Sequence, residues 1–188
     1  VYGASGSHSG GDCVGEVYYD LAGLGVTTQG AVNGGASRIH YNGSSFIVDS
    51  GFANHPVTYV SRYGSLGFCN YYGYRLPGKW QRQAVADYDG SYIYGCGISI
   101  SKGKANYRWL EEDGTYHYLA NGTSPVGTYG NFGYGMCDMA GNVQEWIDVS
   151  HGCSGGSWVS ADSQCRNVED VGYGPDNMAA LLGFRVCR

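Results

Sequence analysis

Charge is scarce in this chain. Only 14% of its residues are charged, its net charge is −5, and its Lys and Arg residues form no run. Phosphate backbones are held by clustered Lys and Arg, so nucleic acid is not expected as a partner. The same scarcity removes a basic stripe for anionic membranes. Long hydrophobic runs are missing too: no window of 18 apolar residues and no signal-type apolar core occurs, so direct membrane insertion is not expected. The start at Val1 leaves a leader or anchor open. No Cys-x-x-Cys is present, which argues against a zinc knuckle. The histidines, His8, His40, His55, His117 and His151, show no metal-type spacing. Neither a Gly-x-Ser-x-Gly elbow nor a P-loop occurs.

What the chain has in excess is Gly (33 residues) and Tyr (18), within a length of 188 that suits one domain, taken as residues 1–188. Inside a helix each Gly costs about 1 kcal/mol relative to Ala, so a helix bundle is excluded. A loop-rich fold whose turns use positive φ is favoured. Without a Gly-X-Y period, and with abundant aromatics, neither collagen nor disorder fits. The seven cysteines are Cys13, Cys69, Cys96, Cys137, Cys153, Cys165 and Cys187, and an odd count leaves at least one unpaired. Buried free thiols are expected for most. One or two disulfides among the loops near Cys153, Cys165 and Cys187 form the alternative.

Local patterns mark a few elements. Ser37 to Tyr41, an Asn42-Gly43 turn and Ser45 to Val48 read as a β-hairpin. Asn42-Gly43-Ser44 and Asn121-Gly122-Thr123 are formal glycosylation sequons, although Asn-Gly is first of all a turn. Val57, Val60, Tyr63, Gly67, Phe68 and Tyr71 recur at helical steps, predicting a helix over 58–72 that Gly73 ends. A second helix is predicted over 78–87 with Trp80, Ala84 and Val85 inward. The Gly- and Tyr-rich stretch from Asp89 to Tyr118 reads as an excursion from the core, and 131–188 as loop and short strand.

Four motifs stand in order. They are Pro56-Val57-Thr58-Tyr59-Val60-Ser61, Gly73-Tyr74-Arg75-Leu76-Pro77, Cys137-Asp138-Met139-Ala140-Gly141-Asn142-Val143-Gln144-Glu145-Trp146, and Gly155-Gly156-Ser157-Trp158 with Gly183-Phe184-Arg185. Consecutive glycines let backbone approach backbone, and Trp158 supplies a large core plug. Together the motifs closely resemble the formylglycine-generating-enzyme (sulfatase-modifying factor) family, over roughly residues 50–188. The resemblance implies an α+β, C-type-lectin-like fold with two helices, small antiparallel sheets and abundant loops. Asp138, Asn142 and Glu145 read as hydrogen-bonding groups for neighbouring loops. The alternative is calcium, for which Asn142 and Glu145 would give oxygen ligands. No other cofactor is required. Arg75 and Arg185 are expected to be buried hydrogen-bond hubs.

Enzymes of that family use two cysteines five residues apart, just after the Gly-Gly-Ser motif, to bind copper(I) through soft sulfur. Carried over, the second falls on Cys165 but the first on Ser160, a poor copper(I) ligand. The resemblance therefore implies that the oxidase chemistry is lost, with a copper-dependent oxidase or an inactive member as the alternative. Ser157 matches an active-site serine of the family, yet is more simply a turn residue.

The C-terminal layout is most similar to the family's non-enzymatic group, the variable proteins of diversity-generating retroelements. That similarity implies a variable ligand-binding segment at 158–182 between fixed anchors. Tyr173 is its expected aromatic anchor. Val159, Val171, Ala179 and Leu181 would add apolar contact, and Ser160, Asp162, Gln164, Asn167 and Glu169 polar contact. The partner would be a protein or other host or environmental ligand, met at a cell surface or on a virion.

Overall fold

The structure, a computed structural model, describes residues 38–41, 45–118, 122–149 and 152–188. The predicted hairpin is present: β1 (Ile39–Tyr41) pairs antiparallel with β2 (Phe46–Val48). Its Asn42-Gly43 turn, Ser37, Cys13 and the Asn121 sequon residue lie outside the described residues.

Helix α1 (Arg62–Tyr72) starts later than its periodicity predicts. Tyr59 adopts a left-handed φ of 57° and its N–H donates to the Ala179 carbonyl, which ties 57–60 to the C-terminal segment and keeps it out of the helix. The Ser61 hydroxyl then caps the first turn by accepting from the Gly64 N–H, 3.1 Å away. Gly73, at φ 70°, ends the helix as its spacing predicts. The inward face is not the aromatic one. Ser65 and Cys69 are buried with the cap Ser61, whereas Tyr71 is 79% exposed and Phe68 is also exposed. Small residues at i and i+4 let the helix lie close to its neighbours, and the Trp146 indole N–H reaches the Val60 carbonyl at 2.9 Å.

Helix α2 (Lys79–Ala86) matches its predicted span, since Gly78 and Asp87 are its caps. The Gln81 side chain reaches back to accept from the Gly78 N–H at 3.0 Å. Its inward face also departs from expectation: Arg82 and Ala86 are buried, while Trp80 is 73% exposed and Ala84 and Val85 face solvent. An arginine faces inward because a carboxylate waits for it in the core.

The expected two helices and small antiparallel sheets are present, with one departure: the central sheet contains a parallel pairing. Its strand order is β7-β6-β5-β8, from β5 (Gln144–Trp146), β6 (Gly152–Ser154), β7 (Asp170–Gly172) and β8 (Leu182–Phe184). Strands β6 and β7 run antiparallel to their neighbours, but β8 joins β5 in parallel, with Glu145 beside Gly183. A Cβ on Gly183 would lie 2.8 Å from the Val57 carbonyl oxygen, so only Gly fits there. One core cluster (Cys69, Leu76, Trp146, Cys153, Leu182) packs under this sheet.

The stretch 89–118 is not an excursion. Tyr94, Cys96, Ala105 and Tyr107 build a second buried cluster with Ala140 and Cys165, and a hairpin of β3 (Trp109–Leu110) and β4 (Tyr116–His117) follows. Tyrosine rings supply this burial, which an aliphatic pattern does not reveal. The described cysteines are all free thiols: Cys69, Cys96, Cys153 and Cys165 are buried, Cys137 and Cys187 half-buried. The alternative of disulfides near Cys153, Cys165 and Cys187 is absent among the described residues.

Replacing Trp80 with Ala is expected to change unfolding free energy by no more than about 0.5 kcal/mol. Trp146→Ala, at a fully buried position, is expected to cost about 3–5 kcal/mol. Urea denaturation of the two variants checks both.

Candidate functional site

Glu145 lies at the middle of β5, buried on every side. Arg82 of α2 donates Nε to its Oε2 at 3.1 Å, and Arg185, just past β8, donates Nη2 to its Oε1 at 2.8 Å. Each arginine also holds a loop: Arg82 Nη2 bonds the Met139 carbonyl at 2.8 Å, and Arg185 Nη2 the Cys137 carbonyl at 3.0 Å. Burial alone would raise the Glu145 carboxyl, but the two guanidiniums outweigh it and hold the group below its ordinary range. Gly155, at φ 98°, sits where any side chain would overlap the Arg82 guanidinium. The Gly-Gly pair is thus required by contact as well as by conformation.

Asn142 takes a left-handed φ of 64° and uses its amide as a short strand would. Its Oδ1 accepts from the Ser124 N–H at 2.9 Å, and its Nδ2 donates to the Ser124 carbonyl at 3.1 Å. Asp138 accepts from the Gly127 N–H at 2.7 Å. The calcium alternative for Asn142 and Glu145 therefore does not fit these residues. The Asn142 oxygen is already engaged, and the place a cation would occupy beside Glu145 holds two guanidiniums. Among the described residues, no group of three or more His, Cys, Asp or Glu could hold a metal ion.

Of the two expected arginine hubs, Arg185 is one and Arg75 is not. Arg75 is exposed and donates to Gln81 at 2.6 Å. The missed hub is Arg82. Its spacing of three from Lys79 on a polar helix gave no signal that it faces inward.

The C-terminal segment begins on a sealed corner. Trp158 is buried, and the Ser160 hydroxyl accepts from the Ser157 N–H at 2.9 Å and lies 3.1 Å from the Ser157 hydroxyl. Cys165 closes a 3-10 turn (Asp162–Cys165) with 0% of its surface exposed, and burial pushes its thiol up to about 12. The segment is also clamped from the side. Arg108 N–H donates to the Ser160 carbonyl, and the Asn167 backbone and side chain donate to the Ile93 and Tyr92 carbonyls at 2.9 and 3.0 Å.

This clamp sorts the expected ligand-binding residues. Asp162, Gln164 and Glu169 are exposed, although Gln164 also bonds the Ala161 N–H at 2.9 Å. Ser160 and Asn167 are buried frame residues, not display residues. Val159 and Val171 are half-buried, and Ala179 and Leu181 pack against the core under the sheet. Tyr173 is not a free anchor: its hydroxyl donates to Gln144 Oε1 at 2.9 Å and its ring meets Trp146 edge-on. Ser163, Arg166 and Val168 (58% exposed), which are not among the expected ligand-binding residues, also face solvent. The alternation of buried Cys165 and Asn167 with exposed Arg166 and Val168 is the signal that could have found them.

Because the Glu145 carboxyl is held below its unfolded value, its contribution to stability is present above pH of about 4.5 and is lost as pH falls through the lower folded value. Glu145→Gln is expected to cost about 3–5 kcal/mol at neutral pH, since it leaves buried arginine charge uncompensated. The variant should also show a shallower loss of stability on acidification than the unmodified chain. Urea midpoints measured from pH 7 downwards check both statements.

Comparison with known proteins agrees with this architecture. Residues 25–188 match the family model described as "Sulfatase-modifying factor enzyme 1-like domain". A serine/threonine-protein kinase pkn1 of Chlamydia caviae is 34% identical over 180 residues, covering 81% of this chain but 27% of the kinase. A formylglycine-generating enzyme of Mycobacterium tuberculosis is 32% identical over 196 residues, covering 82% of this chain and 63% of the enzyme. The chain thus spans only part of each relative. The structure of Treponema denticola variable protein 1 superposes with a TM-score of 0.63 at 20% identity, covering 84% of this chain and 79% of that one, which shows a shared fold. With residues 25–188 matched by its model, the chain belongs to the sulfatase-modifying factor enzyme 1-like family.

Proposed function

We propose that this protein is a non-enzymatic ligand-binding member of its family, a variable protein of the diversity-generating-retroelement type. One observation carries the reading. The positions of the family's cysteine pair are a hydrogen-bonded serine hydroxyl, Ser160, and a sealed thiol, Cys165, whereas Asp162, Ser163, Arg166, Val168 and Glu169 beside them point to solvent. A soft-metal site needs thiolates. Burial opposes the thiolate at Cys165, and Ser160 offers no sulfur.

The exposed residues stand on backbone held by Arg108, Tyr92 and Ile93, so a ligand would meet side chains whose backbone is already ordered. Such rigidity limits the entropy lost on binding. The ligand would be a protein or other host or environmental molecule, and the face would serve at a cell surface or on a virion. The reading requires no cofactor. Among the described residues, no helix is long and apolar enough to cross a membrane.

Single alanine substitutions at Asp162, Arg166, Val168 and Glu169 are expected to change stability by no more than about 0.5 kcal/mol each. Asn167→Ala should cost about 1–3 kcal/mol by breaking the clamp. Sequencing the 3′ end of the gene across a natural population tests the function itself. Changes at adenine-derived codons of the exposed positions, with Ser157, Trp158, Cys165 and Asn167 constant, support it; an invariant segment overturns it. A copper(I) titration separates the oxidase alternative, because tight binding that disappears in Cys165→Ala would sink the non-enzymatic reading.

A further inference from the structure

Helix α1 buries its small residues and leaves its rings outside, where they form one connected ladder. Phe68 meets Phe184 of β8 edge-on with ring centroids 5.3 Å apart, Phe68 meets Tyr72 at 4.7 Å, and Tyr72 meets Tyr71 at 4.8 Å. Phe68, Tyr72 and Tyr71 are 42%, 59% and 79% exposed. An aromatic side chain carries about 150–250 Å², so these three leave roughly 300–450 Å² of ring surface in water. An apolar patch of about 300–600 Å² is the largest that a typical monomer shows, and it is often functional. Two features point to a second copy of the chain as what covers this one. Residues 63–74 contain no charged side chain, so the face brings no like charge against its own image and offers a charged partner nothing to pair with. Arg62, at the start of the helix, is already held by Asp148 at 3.3 Å. The face is also self-complementary in shape. Gly64, Gly67, Phe68, Tyr71 and Tyr72 recur at three- and four-residue steps, with glycines at the start of the stripe and rings at its end. In a twofold contact the same patch meets itself, so antiparallel α1 helices set the rings of each chain over the glycines of the other.

We propose that the outer face of α1 is a homodimer interface, through which two copies of this chain associate reversibly about a twofold axis. The composition of the face fits, since the buried centre of an interface is poor in charge and rich in Tyr and Phe. Its size sets the strength. The exposed rings of two copies supply roughly 600–900 Å², short of the about 1,200–2,000 Å² that stable complexes bury, so the dimer exchanges with free chains. Because a twofold contact uses the same patch on both partners, assembly stops at two. The dimer does not depend on the ligand-binding reading, and its failure would leave that reading intact.

Sedimentation velocity of the unmodified chain, from about 1 μM to about 1 mM, tests the proposal. The expected result is a shift with concentration from the mass of one chain to that of two, and no further. A single-chain mass throughout overturns the dimer, and growth beyond two overturns its closed twofold form. Tyr71→Glu should weaken association about tenfold or more, because it puts a charge into a ring contact. Its melting temperature in dilute solution should match that of the unmodified chain, since position 71 is largely exposed. Tyr71→Phe, which keeps the ring, should retain the dimer. Trp80→Glu changes an exposed ring of α2 instead and should leave association as it is. A dimer unaffected by Tyr71→Glu, or weakened equally by Trp80→Glu, overturns the assignment to α1. Salt raised to about 0.5 M should not dissociate an apolar contact, and dissociation there counts against it.

Discussion

A carboxylate held between two guanidiniums is the constraint on which the rest of this molecule depends. Glu145 can be buried in the middle of the sheet only because Arg82 and Arg185 reach it from separate elements. A buried charge without such partners costs several kcal/mol, so the three residues must arrive together or not at all. Their arrival orients α2, brings the chain after β8 beside β5, and pins the 137–139 loop through two carbonyls. Gly155 follows from the same demand, since a side chain there would overlap the Arg82 guanidinium, whereas Gly183 is required by the close approach of the Val57 carbonyl.

That frame separates structure from display. On the inner side of the C-terminal segment, Ser157, Trp158, Ser160, Cys165 and Asn167 are buried and bonded to fixed parts of the chain. On the outer side, the residues between them contact mainly solvent. A surface arranged in this way can change its side chains without disturbing the fold, because the groups that carry the packing energy are not those exposed. The same separation bears on the chemistry. Burial opposes the thiolate at Cys165, and position 160 carries a serine hydroxyl bonded to Ser157 in place of a second thiol.

Much of this was legible in the residues. The pairing of β1 with β2, the ends of α2 and the glycine stop of α1 read correctly, because each rests on local signals: short strand-forming runs, caps and a left-handed glycine; the four ordered motifs carried the family. The helix faces did not. Periodicity arguments assume that large apolar side chains point inward, but α1 turns Ser61, Ser65 and Cys69 to the core and leaves Tyr71 outside. In α2 an arginine faces inward because its counter-charge lies 63 residues away in sequence. Tyr173 looked like an anchor for a ligand; Gln144 and Trp146 claim it instead.

The sequence by itself determined the family, the α+β class, the loop-rich character and the general location of the exposed segment, since these follow from composition and from motifs in fixed order. Tertiary structure alone decided which residues of that segment face out. Residue exposure there is set by contacts with Tyr92, Ile93 and Arg108, which lie far away along the chain and carry no local signature. It also decided that Asn142 and Glu145 serve hydrogen bonding rather than calcium. An oxygen's availability depends on which donors the fold brings to it, and two of those donors come from Arg82 and Arg185.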